Sequence, residues 1–115
     1  MTTIYHNPRC SKSRETLALL EERGVTPNVV AYLDTPPDAA QIGELLALLG
    51  LPDARTLMRK GEAEYKELGL ENPALSQAEL IAAMAAHPRL IERPIVVANG
   101  QARIGRPPEN VLDIL

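Results

Sequence analysis

The spacing of apolar and polar positions changes several times along the chain, and each change marks an element. Thr3 to Tyr5 has the composition of a short strand and runs into the loop His6-Asn7-Pro8-Arg9-Cys10. From Ser11 the pattern turns helical, with Leu17 and Leu20 three apart, and Gly24 suits the left-handed position that follows a helix. Val29-Val30-Ala31-Tyr32-Leu33 is a continuous apolar run of strand length, the pattern of a strand buried on both faces. Thr35-Pro36-Pro37-Asp38 opens a second helix, with proline in its first turn and Asp38 at the positive end of its dipole. Ile42, Leu45, Leu46 and Leu49 form the apolar stripe of that helix, and Gly50 ends it.

Between Leu51 and Pro88 the sequence predicts short helical segments and no strand. Ser76-Gln77-Ala78-Glu79 is a capping-box pattern ahead of Leu80, Ile81 and Met84, with His87-Pro88 as the stop. Pro94 to Ala98 and Ala102 to Ile104 flank Asn99-Gly100, a strong hairpin signal, and Pro107-Pro108-Glu109 starts a last short helix. The order β-α-β, helical insert, β-β-α predicts an α/β thioredoxin-like fold. Its sheet would be mixed and four-stranded, with an insertion at about 38–88 between the second and third strands, all within a single domain over 1–115. Such folds place a cis-proline at the start of the third strand, so Pro94 is expected to be cis.

A chain of 115 residues supports one core. The three aromatic residues are all tyrosines, so that core must be aliphatic. A net charge of −3 disfavours nucleic-acid binding, which calls for a basic surface. One cysteine makes no internal disulfide and suits a reducing compartment. Met1 to His6 shows no charged leader with an apolar run, and no stretch approaches the roughly 18 apolar residues that span a bilayer. The expectation is a cytoplasmic protein with no membrane partner, monomeric by default.

Cys10 falls between a strand and a helix. Free N–H groups and the helix dipole stabilise negative charge there, which lowers a thiol pKa and attracts anions. Arg9, Lys12 and Arg14 add positive charge, and His6, four residues upstream, could support a thiolate. The competing reading is a buried structural cysteine, but Arg9, Ser11, Lys12, Ser13 and Arg14 make a poor core segment. For His6 the competing reading is a loop histidine with no chemistry, and for Ser13 an ordinary serine at a helix start. Cys10-Ser11-Lys12-Ser13 has the spacing of a redox pair with Ser13 in place of the second thiol, so an adduct on Cys10 must be resolved from outside. Ser13 is expected to donate a hydrogen bond to the sulfur or to a bound oxyanion. Arg59, Arg93 and Arg106 sit at element boundaries. Singly each reads as a surface arginine; as a set around a nucleophile they suit a tetrahedral oxyanion.

His6-Asn7-Pro8-Arg9-Cys10-Ser11-Lys12-Ser13-Arg14, Tyr32-Leu33-Asp34-Thr35-Pro36-Pro37, Leu57-Met58-Arg59-Lys60, Glu92-Arg93-Pro94-Ile95-Val96-Val97, Ile104-Gly105-Arg106-Pro107 and Val111 to Leu115 together resemble the glutaredoxin-coupled arsenate reductases of ArsC type. The match spans essentially the whole chain, in the shorter, YfgD-type form without the tail of longer members. The resemblance implies Cys10 as nucleophile, His6 as its activator, and Arg59, Arg93 and Arg106 as the oxyanion clamp. Ser11, Lys12, Ser13 and Arg14 join these in binding the oxyanion. It further implies arsenate as substrate, glutathione as cosubstrate, glutaredoxin as partner, and no metal or bound cofactor. Three other readings stay open. They are a thiol reductase of another substrate on the same site, an Spx-like regulator that binds RNA polymerase, and an anion-binding domain without turnover.

Overall fold

The computed structural model describes residues 1–115 and divides them into two compact units. Met1–Thr35 and Arg93–Leu115 form one, and Pro36–Glu92, slightly wider than the insertion expected at 38–88, forms the other.

The first unit holds β1 (Thr3–His6), α1 (Ser11–Glu22), β2 (Asn28–Ala31), β3 (Ile95–Ala98), β4 (Gln101–Ile104) and a closing 3-10 helix, Pro108–Ile114. The sheet order is β2-β1-β3-β4. β1 runs parallel to β2, with Ile4 beside Val29, and antiparallel to β3, with Ile4 beside Val96. β3 and β4 form the hairpin expected from Asn99-Gly100, with φ of 53° and 74° at the two turn residues. A type I′ turn needs positive φ at both positions, which asparagine and glycine adopt most readily. The result is the mixed thioredoxin-like sheet that the element order predicted.

Ile4, Leu20, Val96, Ala98, Val111 and Ile114 form the buried core of this unit, with Leu17, Leu19 and Val25 packed on it. Each fully buried leucine or isoleucine contributes about 1.5–3 kcal/mol. The closing helix is tied to the hairpin, because Asn99 Nδ2 donates to the Ile114 carbonyl at 2.7 Å.

The apolar run at 29–33 is not a strand buried on both faces. β2 ends at Ala31, lies at the sheet edge against β1 alone, and leaves Val29 47% exposed. Tyr32, the buried member of the run, belongs to the turn that follows. Apolar content reported length but not position in the sheet.

The second unit carries α2 (Ala39–Leu49), α3 (Ala63–Glu67) and α4 (Gln77–Ala86), joined by short 3-10 turns. Asp38 is the N-cap of α2, so the two prolines precede the helix rather than occupying its first turn. Asp38 and Gln41 close a capping box, as do Ser76 and Glu79 at α4. Ile42, Leu45 and Leu46 of α2 and Leu80 and Met84 of α4 are buried, and the two helices pack together. No helix in either unit is long and apolar enough to cross a membrane.

One close approach in the first unit admits no side chain. A Cβ on Gly105 would lie 2.6 Å from Thr16 Oγ1 and 2.8 Å from Pro94 Cγ. Thr16 is fully buried and its hydroxyl donates to the Lys12 carbonyl at 2.8 Å, so neither neighbour has free room to retreat. Gly105→Ala is expected to cost about 1–3 kcal/mol, the range for overpacking, read as a lowered urea midpoint with an unchanged slope.

Candidate active site

Cys10 ends the loop after β1 and is the N-cap of α1, in an extended conformation at φ −93° and ψ 123°. Its own N–H donates to the Asn7 carbonyl at 3.0 Å, and its carbonyl accepts the first helical N–H, from Arg14. Asn7 Oδ1 accepts the Arg9 N–H at 3.0 Å, and Arg14 Nη1 donates to the Pro8 carbonyl at 2.9 Å. The loop is thus braced from inside and from the first turn of α1.

The cysteine is more enclosed than its polar neighbours suggest, with 8% of its surface exposed. Arg106 Nη2 donates to Sγ at 3.4 Å. The N–H groups of Lys12 and Ser13 stand near the sulfur without closing a cap hydrogen bond in the strict geometric sense. Burial works to raise the thiol pKa. It is outweighed by the Ser13 N–H, the Arg93 charge, the Lys12 N–H and the Arg106 charge, so the thiol sits below its ordinary value.

Arg93 and Arg106 are brought together as a braced pair. Arg106 Nε donates to the Arg93 carbonyl at 2.8 Å, which fixes the guanidinium with Nη2 at the sulfur. Asn110 Nδ2 holds the Arg106 carbonyl at 3.0 Å, and the Gly105 N–H donates to the Pro94 carbonyl at 2.9 Å. The Arg93–Pro94 peptide is cis, as expected, and so is Arg106–Pro107. Arg93 Nε is buried and meets no acceptor in the protein. A buried donor without a partner costs about 1–3 kcal/mol, more when charged.

Several residues expected to bind the oxyanion are placed otherwise. Ser13 is fully buried; its Oγ accepts the Asn7 N–H at 3.0 Å and meets His6 Nδ1 at 2.6 Å. Its hydroxyl is therefore committed to Asn7 and His6, and only its N–H acts on the thiol. The Lys12 ammonium pairs with Glu15 at 3.4 Å, the Arg14 guanidinium braces Pro8, and Ser11 is exposed at the start of α1. The positive charge felt by the thiol comes from Arg93 and Arg106. His6 is 9% exposed and bonds Ser13, not the sulfur. Burial, and then the Arg14 charge, lower its pKa, so the ring is neutral near pH 7 and supplies no positive charge to a thiolate.

Arg59 belongs to the second unit. Its N–H donates to the Leu90 carbonyl at 2.7 Å beside the Met58–Ile91 bridge, and its guanidinium pairs with Glu62. Glu62 also takes Arg89 at 3.4 Å, giving Arg59 a local counter-charge. Sequence reading missed Glu62, although its i,i+3 spacing from Arg59 was visible. It also missed the His6–Ser13 bond, which spans a loop and a helix turn and has no short-range signature.

No group of His, Cys, Asp and Glu is arranged to hold a metal ion. The arrangement offers a thiol shifted toward thiolate, an arginine Nη at its sulfur, and a second arginine with an unsatisfied donor beside it. That is chemistry for attack on a tetrahedral oxyanion.

Comparison with known proteins agrees. Residues 5–114 match the model of the ArsC family. The chain is 64% identical over 112 residues to "Uncharacterized protein YfgD" of Escherichia coli K12, covering 97% of this chain and 94% of that one. It is 56% identical over 112 residues to an arsenate reductase of Neisseria meningitidis, covering 97% and 96% of the two chains. Among solved structures, an arsenate reductase from Vibrio cholerae superposes with a TM-score of 0.97 at 60% identity, covering 99% and 97% of the chains. With nearly the whole chain matched by the family model, this chain belongs to the ArsC family.

Proposed function

We propose that the protein is an arsenate reductase that uses Cys10 as nucleophile and draws its reducing equivalents from glutathione and glutaredoxin. The observation that carries this reading is the buried, unsatisfied Arg93 Nε beside a thiol of lowered pKa that Arg106 contacts. Arg93 and Arg106 hold the oxyanion. The Cys10 thiolate forms a sulfur–arsenic bond as hydroxide leaves and is protonated to water. Glutathione then condenses at arsenic with loss of a second water. A glutaredoxin thiolate attacks the glutathione sulfur and forms a disulfide with it. The electron pair of the broken arsenic–sulfur bond stays on arsenic, which goes from As(V) to As(III). Water then displaces Cys10 and releases arsenite.

The absence of a second cysteine supports an external thiol at the resolving step, because Ser13 cannot form a disulfide with Cys10. The test supplies purified protein with arsenate, glutathione, glutaredoxin, glutathione reductase and NADPH. Arsenate-dependent NADPH oxidation that vanishes when glutaredoxin is omitted is the expected result. Oxidation no faster than without the protein would overturn the reading.

A further inference from the structure

We propose that the pocket between the loop after β1 and the turn after β2 seats the γ-glutamyl end of glutathione, with Arg9 holding its α-carboxylate and Asp34 its ammonium. This seat presupposes that glutathione is the reductant, as proposed above, and adds where the chain grips it.

The pocket lies wholly within the first unit and has a volume of about 250 Å³. Pro8 and Arg9 line it from the Cys10 loop, and Ala31, Leu33 and Asp34 line it from the end of β2 and the turn that follows. Sites that enclose a whole small ligand measure about 300–1,000 Å³, so this one has room for one end of a peptide rather than for all of it. Pro8, Ala31 and Leu33 offer apolar surface to the methylenes of a glutamyl arm. Leu33 is 40% exposed, a large apolar side chain that the core does not use.

Arg9 and Asp34 are both exposed, and neither side chain forms an ion pair or hydrogen bond within the protein. Their main chains are nonetheless fixed. The Arg9 N–H donates to Asn7 Oδ1 at 3.0 Å, and the Asp34 N–H donates to the Ala31 carbonyl at 2.9 Å. Neighbouring cations are engaged elsewhere, Lys12 with Glu15 and Arg14 with the Pro8 carbonyl. The charges that act on the thiol are those of Arg93 and Arg106, which leaves Arg9 unemployed beside the nucleophile. A guanidinium takes a carboxylate through two parallel N–H groups, and a carboxylate opposite it suits an ammonium on the same carbon. A simple oxyanion would be drawn by Arg9 and repelled by Asp34, so the pair selects a zwitterion.

Placement next to Cys10 gives this grip its use. Consecutive Cα atoms lie about 3.8 Å apart, so a ligand held at Arg9 is delivered beside the nucleophile. In glutathione two methylenes and an amide separate the α-amino acid group from the cysteine, a span that sets the thiol beside an adduct on Cys10. The groove between α1 and the closing helix does not suit this ligand. Glu15, Glu22 and Glu109 line it, and its one lysine, Lys12, is paired with Glu15. Glutathione, with two carboxylates and one ammonium, is a net anion and is disfavoured there.

The test measures the rate at which Cys10 forms a mixed disulfide with glutathione disulfide, and the same rate with bis(2-hydroxyethyl) disulfide, which lacks the zwitterion. In each reaction the Cys10 thiolate attacks one sulfur and the other sulfur leaves as a thiolate. The ratio of the two rates cancels a change in thiolate fraction, because both disulfides meet the same thiol. That ratio is expected to fall by about threefold to tenfold in Arg9→Gln and in Asp34→Asn, the scale of one partly exposed charged contact. An unchanged ratio in either variant would overturn the inference, as would two rates that fall together. The measurement contains no arsenate. A protein that shows the fall but turns over no arsenate keeps the pocket and loses the substrate reading. One that reduces arsenate yet keeps the wild-type ratio in both variants loses the pocket alone.

Discussion

Cys10→Ser will reduce arsenate turnover to the uncatalysed background while leaving the fold at least as stable as before. The two effects separate because the sulfur serves chemistry and not architecture. A hydroxyl remains protonated where this thiol ionises, since the donors around position 10 bring a sulfur of ordinary pKa about 8.5 into range but cannot do so for an alcohol. A loss on the order of a thousandfold or more is therefore expected. Serine is a favoured N-cap residue, whereas Cys10 closes no cap bond, so the urea midpoint should hold or rise. Measured together, rate and midpoint distinguish loss of the nucleophile from loss of the structure. Residual turnover above a few per cent would mean that another group attacks arsenic.

Arg93→Ala is expected to lower kcat/KM for arsenate by about a hundredfold to a thousandfold, the range for removing one preorganised donor from a developing oxyanion. Two contributions are lost together: the buried Nε, which has no protein acceptor, and a charge that depresses the Cys10 pKa. The fold should survive, because the Arg93 carbonyl that receives Arg106 Nε is backbone and remains. Arg93→Lys should recover little, since an ammonium on a flexible stem does not reproduce a fixed planar fork. A rate within a few-fold of wild type in Arg93→Ala would remove this residue from the site. The pH midpoint of Cys10 alkylation should also rise in the alanine variant, which ties the kinetic loss to the thiol's surroundings.

Much of the fold was legible because its signals are local. Asn99-Gly100 set the hairpin through backbone conformations few residues adopt, and Ser76 marked a helix start through a bond spanning three residues. Cys10 was legible for the same reason, since its loop, helix start and flanking charges all lie within nine residues. The reading failed where the answer depended on distant partners. The run at Val29 gave no hint of lying at an edge, because edge position is decided by which strands pair with β1. Lys12 and Arg14 were credited with the anion on charge alone. Glu15 and the Pro8 carbonyl had the better geometric claim to them. Ser13 was the most misleading, since proximity in sequence to Cys10 suggested a donor to sulfur while its hydroxyl bonds His6 and Asn7.

The contact of Gly105 with Thr16 and Pro94 fixes the spacing between the helix that presents the nucleophile and the two segments that present the arginines. That spacing is thereby set by the Gly105 main chain against two buried side chains, a threonine held by its own hydrogen bond and a proline ring, neither of which is an adjustable shim. An anion seat so spaced discriminates by bond length and shape and cannot stretch toward a bulkier guest. Selection for a larger oxyanion would have to reshape the strand-to-turn junction at Ile104–Arg106, because exchanging rotamers around Cys10 would leave that gauge untouched.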